Sequence, residues 1–171
     1  MIILIAGDTR TGKTVLAQKL LEKYSYPYLS IDHLKMGLIR SGRCRLSPDS
    51  EDDELTQYLW PIIREIIKTN IENSQNLIIE GCYIPFGWEK DFLPRYREQI
   101  KYICLIFSKQ YIETRFEDIL AFENAIEKRL PSNPDKDRMI QTNECNLKLC
   151  ELHNYRYILV ESDYRTDIGE L

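Results

Sequence analysis

The residues best placed to do chemistry are Gly7-Asp8-Thr9-Arg10-Thr11-Gly12-Lys13-Thr14, which fit G-x-x-x-x-G-K-[ST]. Two glycines at this spacing let the backbone wrap until several N–H groups converge on phosphate oxygens, and a following helix adds its positive N-terminal pole. Lys13 then reaches the β- and γ-phosphates, and the Thr14 hydroxyl suits Mg²⁺. The expected nucleotide contacts are Gly7, Thr9, Thr11, Gly12, Lys13, Thr14 and Val15. A chain of this length contains the pattern by chance roughly once in two hundred sequences, given average residue usage. Two carboxylates outside the loop are further candidates: Asp32 to face a substrate, and Glu80 to hold Mg²⁺ or act on the substrate.

These groups need elements to hold them. The apolar run Met1 to Ala6 before the loop reads as a buried parallel strand, and Lys13 to Tyr24 after it carries apolar residues at helical spacing. Tyr26 to Ile31 reads as a short strand with Asp32 at its end, where ligands bind in open parallel sheets. Asp32 also suits the N-cap of the helix-like stretch His33 to Arg40. The arginines of the basic run Arg40 to Arg45 suit phosphate or carboxylate recognition, and a solvated loop accounts for them equally well. The acidic run Asp49 to Glu54 favours a helix start, with a capping pattern over Ser50 to Asp53. Apolar residues from Leu55 to Ile71 then predict one amphipathic helix over 52–73, or two joined at Pro61, with Trp60 in the core. Leu77 to Ile84 reads as a second buried strand ending near Glu80, followed by an aromatic and proline-rich loop to Arg97 on the substrate side. A further strand spans 101–108, helical stretches follow from 109 to Pro131 and from about 135 to 154, and 157–160 is a last strand.

The alternation of strands and helices implies an α/β fold with a parallel sheet of about five strands covered on both faces. The absence of G-x-G-x-x-G after any strand disfavours a dinucleotide fold. With 171 residues, 43% hydrophobic and 29% charged, the chain suits a single soluble domain over 1–171. A net charge of −4 offers no general attraction to nucleic acid or an anionic membrane. No run is long enough to span a bilayer, and the start lacks a basic leader, so a cytoplasmic protein is expected. Five cysteines without a C-x-x-C pair favour reduced thiols, and packing accounts better than a metal for Cys145, Cys150 and His153.

In element order the chain resembles the nucleoside-monophosphate-kinase-like branch of the P-loop kinases, the group of adenylate, shikimate and gluconate kinases, chloramphenicol phosphotransferase and zeta toxins. The phosphate loop is the specific motif in that resemblance. It implies a three-layer α/β/α fold with a five-stranded parallel sheet, ATP with Mg²⁺ as phosphoryl donor, and a helical lid, here expected within 109–134. By position, Asp32 looks like the strand-end Asp that binds or deprotonates an acceptor hydroxyl, and Glu80 like the acidic residue after the third strand, with Thr14 the other metal ligand. Arg115 and Arg129 fall where catalytic lid arginines are expected, and Ser162 to Thr166 where the final loop packs on adenine. The segment Glu80-Gly81-Cys82-Tyr83-Ile84-Pro85 departs from the Asp-Gly-x-Pro-Arg motif of adenylate kinases: no arginine follows the proline. The leading expectation is therefore an ATP-dependent phosphotransferase acting on a small hydroxyl-bearing metabolite. A nucleoside monophosphate kinase using Arg40, Arg43 or Arg95, and a nucleotide-binding regulatory or toxin-like protein, are the alternatives.

Overall fold

The computed structural model describes residues 1–122, 126 and 135–164. Strand β1 (Ile2–Gly7) leads through the phosphate loop into helix α1 (Lys13–Tyr24), followed by β2 (Tyr28–Ser30), α2 (Ile31–Arg40) and α3 (Asp52–Glu72). Then come β3 (Leu77–Glu80), a 3-10 turn (Trp88–Asp91), α4 (Pro94–Arg97), β4 (Ile100–Phe107), α5 (Lys109–Ala121), α6 (Lys136–Leu152) and β5 (Tyr157–Val160). The five strands form one sheet in the order β2-β3-β1-β4-β5, and every pairing is parallel. This is the expected α/β/α architecture. Parallel strands buried on both faces must be apolar throughout, and β1 is buried along its whole length.

Alternation along β1 divides the core. Ile3 and Ile5 pack with Leu16, Ala17 and Leu20 of α1, while Ile2, Leu4 and Ala6 pack with Leu55, Leu59, Ile63 and Ile67 of α3. Helix α3 runs unbroken through Pro61, which sits on its exposed side, so the alternative of two helices falls away. Trp60 is core as expected, and its indole N–H donates to Asp91 Oδ2 at 2.7 Å.

Three expectations shift at element ends. The third strand stops at Glu80; the Gly81 N–H still donates to the Ile5 carbonyl at 3.1 Å, and Gly81 stands against Ile31 of α2. Helix α2 starts at Ile31 with Ser30 as its N-cap, which puts Asp32 inside the first turn instead of at the cap. Ser50 does not cap α3: its hydroxyl accepts from the Ser47 N–H, and Glu51 holds the cap position. Helix α5, the first part of the stretch expected to form the lid, is anchored to the core by Tyr111, Ile112 and Ile119 and bends at Arg115. The rest of that stretch, apart from Phe122 and Ile126, lies outside the described residues. Among the described residues no helix is long and apolar enough to cross a membrane.

Candidate active site

Parallel pairing brings the carboxyl ends of β2, β3 and β1 to one edge of the sheet, with β3 in the middle. Glu80 is in register with Ser30 on one side and Ile5 on the other. Asp32, two residues beyond Ser30 in the first turn of α2, and Gly7, two beyond Ile5, therefore lie past the carboxyl end of β3 on either side of it. The carboxylates and the phosphate loop thus meet at one edge.

Within the loop, Gly7 has φ 139° and no room for a side chain, since a Cβ there would stand 2.5 Å from the Leu105 carbonyl oxygen. Asp8 organises the turn. Its backbone carbonyl accepts from Lys13 Nζ at 2.7 Å and from Thr11 Oγ1 at 2.8 Å, and its carboxylate accepts from the Thr9 N–H at 2.7 Å. Thr11 is fully buried, so its hydroxyl holds the loop together, and Val15 is half-buried in the first turn of α1. Lys13 is buried, and its Nζ also lies 3.4 Å from Cys82 Sγ. Burial opposes the ammonium, yet Cys82, Glu80, Asp8 and Asp32 around it together raise its pKa above the ordinary lysine value. Burial raises the Asp8 carboxyl pKa, an effect that Lys13 offsets in part.

Thr14 and Glu80, the two residues expected at a metal, are neighbours. The Thr14 hydroxyl donates to Glu80 Oε1 at 3.3 Å, and both are buried. A hydroxyl and one carboxylate, both hard oxygen donors beside a phosphate cradle, fit Mg²⁺, which keeps several waters and takes its other ligands from phosphates. No group of three or more acidic, histidine or cysteine side chains suited to a metal occurs among the described residues, as that mode of binding requires none.

Asp32 does not stand alone. Its Oδ1 pairs with Lys35 Nζ at 2.9 Å, one helical turn along α2, and Lys35 also donates to the Tyr83 hydroxyl at 2.9 Å. Lys35 and Tyr83 were not singled out from the sequence. An i,i+3 charge pair beginning at Asp32, and an aromatic three residues beyond Glu80, were the signals available.

The arginines are placed less favourably. Arg115 is exposed and its Nη1 bonds Asp118 Oδ2 at 3.1 Å on its own helix, so no described contact brings it to the loop; Arg129 lies outside the described residues. Arg95 lies against Tyr96, its Nη2 donating to that hydroxyl at 3.1 Å, in a cavity with Ile71, Glu72 and Gln99. Gln99 precedes β4, whereas Gly7 at the start of the phosphate loop is in register with Leu105, six residues or about 20 Å along that strand. That corrects the expectation that Arg95 holds an acceptor phosphate. Arg40 and Arg43 are exposed at and beyond the last turn of α2.

Two more contacts went unforeseen. Asn143 of α6, a buried polar residue, donates to Asp8 Oδ2, and the Tyr164 hydroxyl donates to the carbonyls of Thr11 and Gly12 at 3.2 Å. The segment expected on adenine thus rests, at Tyr164, against the phosphate loop itself; Arg165 and Thr166 lie outside the described residues.

The fold recurs in solved structures. A sugar kinase from Janibacter sp. HTCC2649 superimposes with a TM-score of 0.57 at 15% identity, over 94% of this chain and 84% of that one. The chain has the P-loop NTPase α/β fold. A deoxyadenosine kinase from M. mycoides, solved with dCMP as product and a flexible dCDP bound, matches with a TM-score of 0.50 at 12% identity, over 95% of this chain and 90% of that one. No family model matches the chain, and no curated protein sequence does.

Proposed function

We propose that the protein is an ATP-dependent phosphotransferase, a single kinase domain that moves the γ-phosphoryl group to a hydroxyl of a small metabolite. The observation that carries this reading is the meeting of a built phosphate loop, a buried Thr14–Glu80 pair and the Asp32 carboxylate at one sheet edge. In the reaction, a bond forms between the acceptor oxygen and the γ-phosphorus, the bond to the β,γ-bridging oxygen breaks, and ADP leaves. Lys13, kept cationic by the carboxylates around it, neutralises charge on the transferred group. Asp32 orients the acceptor hydroxyl and receives its proton as the new bond forms. Thr14 and Glu80 would hold Mg²⁺, which when bound draws charge from the phosphate oxygens. Arg115 and Arg129 would supply the positive charge over the phosphates that the resemblance implies. Most of the rate enhancement is positioning and electrostatics, since phosphoryl transfer asks little covalent chemistry of the protein.

A screen of metabolite hydroxyls with γ-labelled ATP tests the reading. Label should pass to an acceptor with the wild type, be lost with Lys13→Ala, and fall by at least a hundredfold with Asp32→Asn, on the scale of a lost acid–base group. Full turnover by Lys13→Ala would sink the proposal.

A further inference from the structure

The Lys35 side chain turns inward. A lysine on a helix ordinarily lays its stem along the surface and leaves the ammonium in water. Here the side chain is only 12% exposed, whereas that of Asp32, one turn earlier on α2, is 41% exposed. The Lys35 ammonium donates to Asp32 Oδ1 and to the Tyr83 hydroxyl, each at 2.9 Å, and lies 5.0 Å from the centre of the Tyr83 ring. Tyr83 is itself buried, in the core between α3 and the sheet. Burial works against the ammonium, yet the bonds to Tyr83 and Asp32 outweigh it and raise the Lys35 pKa above the ordinary lysine value. Lys35 is therefore a cation held from the core side.

Stability alone is a poor reason for this arrangement. Taking a cation out of water costs more than a carboxylate partner readily returns, and apolar residues of similar size often replace such pairs at no cost in stability. What the arrangement supplies is direction. Its buried members, Tyr83 and Lys35, are fixed by packing, and its accessible member is the carboxylate. The Asp32 charge acts on both Lys13 and Cys82, which puts it within electrostatic reach of the phosphate loop. Lys35 also joins two segments that leave the sheet side by side: Asp32 stands two residues beyond β2, and Tyr83 three beyond β3. Gly81, tight against Ile31, closes the same seam.

We infer that Lys35 is a positioning residue for phosphoryl transfer: anchored by Tyr83, it holds the Asp32 carboxylate where the acceptor hydroxyl must meet it. This rests on the phosphotransferase reading above, in which Asp32 receives the acceptor proton. Lys35 need not be the only partner of Asp32 for this; it is a partner braced from the core. Misplacing a reacting group by about 1 Å can cost on the order of a hundredfold in rate, so the brace matters to turnover more than to folding.

A double-mutant cycle with Asp32 tests it. Label from γ-labelled ATP with Mg²⁺ is followed to the acceptor found in the screen above, or to water where the screen finds none. The proteins are wild type, Lys35→Met, Asp32→Ala and the double variant, and ATP affinity is measured in parallel by equilibrium binding. Lys35→Met should lower kcat on the order of tenfold or more, with ATP affinity within about twofold of wild type. In the Asp32→Ala background the same change should cost less than about twofold, because the group it positions is gone. Lys35→Arg, which keeps the cation, should recover part of the loss. Tyr83→Phe keeps the ring and removes the hydroxyl, so it should show a smaller loss that also vanishes beside Asp32→Ala; it carries the cycle should Lys35→Met fail to fold. Equal losses with and without the Asp32 carboxylate, a loss confined to ATP affinity, or no loss at all would refute the positioning role and leave the kinase reading intact. Full turnover by Asp32→Ala would likewise overturn the inference alone. Absence of label transfer by the wild type, to any acceptor or to water, would overturn the kinase reading and the inference with it.

Discussion

Asn143 ties the phosphate loop to the other half of the sheet. Its Nδ2 donates to Asp8 Oδ2 at 3.3 Å and to the Met139 carbonyl at 2.9 Å, while its Oδ1 accepts from the Phe107 N–H at 2.8 Å. One buried carboxamide thus joins the loop, the end of β4 and helix α6. Replacement by leucine, similar in volume, leaves the Phe107 N–H buried without an acceptor and removes a partner of Asp8. The cost should be about 1–3 kcal/mol, a fall of several degrees in melting temperature, with a higher KM for ATP. A melting temperature and nucleotide KM equal to wild type would rule out this coupling.

Asn143→Asp gives a test with a sign in pH. It sets a second carboxylate against Asp8, whose folded pKa burial already raises. A carboxyl pKa raised on folding contributes stability that is present below the unfolded value near 4 and is lost as pH rises through the folded value. The deficit of Asn143→Asp against wild type should therefore be largest at pH 7–8 and shrink toward pH 4–5. Chemical denaturation across that range measures it, and a deficit that grew on acidification would contradict the buried Asp8–Asn143 contact.

Gly12 has φ 85°, and a Cβ there would stand 1.7 Å from the Tyr164 hydroxyl oxygen. Alanine at this position meets two separable costs: a left-handed backbone, about 1–2 kcal/mol, and displacement of the tyrosine. The far end of a tyrosine can swing away, so Gly12→Ala should fold yet bind ATP poorly. Adding Tyr164→Ala should recover some nucleotide affinity while the backbone cost stays in the melting temperature. Equal nucleotide affinity in the single and double variants would show that the clash is of no consequence.

Much of this was legible in sequence because it is written in local patterns. The phosphate loop announces itself by fixed spacing, β1 and α3 by apolar period, and the ends of β2 and β3 by a carboxylate following an apolar run. Asp32 and Glu80 were found that way, and the sheet order then brought them together. What stayed hidden depends on contacts between residues far apart in the chain. Asn143 lies 135 residues from Asp8, and Tyr164 lies 152 from Gly12. Arg95 misled for the related reason that a cationic residue in a loop after β3 looks equally able to serve either end of the sheet. Only the short helix α4, returning the chain to the start of β4, decides which end it reaches.

The Thr14–Glu80 pair makes a prediction about metal. Glu80→Gln keeps the shape and the bond from Thr14 but removes the charge, so the Mg²⁺ concentration for half-maximal activity should rise tenfold or more. Binding of ATP in EDTA should change far less, because Lys13 and the loop amides remain. Titrating Mg²⁺ at saturating ATP separates the two effects, and an unchanged Mg²⁺ requirement would remove Glu80 from the metal.

Gly81 separates the two halves of the site. A Cβ at this position would lie 2.8 Å from Ile31 Cβ and 3.0 Å from both Cγ1 and Cδ1, and Ile31 is a fully buried residue at the start of α2. Ile31 cannot yield by rotating its tip alone, because its Cβ is the nearest atom. Gly81→Ala should therefore push the first turn of α2 outward, and Asp32 and Lys35 with it, at an overpacking cost of about 1–3 kcal/mol. The phosphate loop is held by Asp8, Thr11 and Asn143, none of which touches Ile31 in a described contact. The variant should thus raise the KM for the acceptor and lower turnover, while its affinity for ATP, measured by equilibrium binding, stays within about twofold of wild type. A loss confined to ATP affinity would mean that α2 and its Asp32–Lys35 pair do not form the acceptor side.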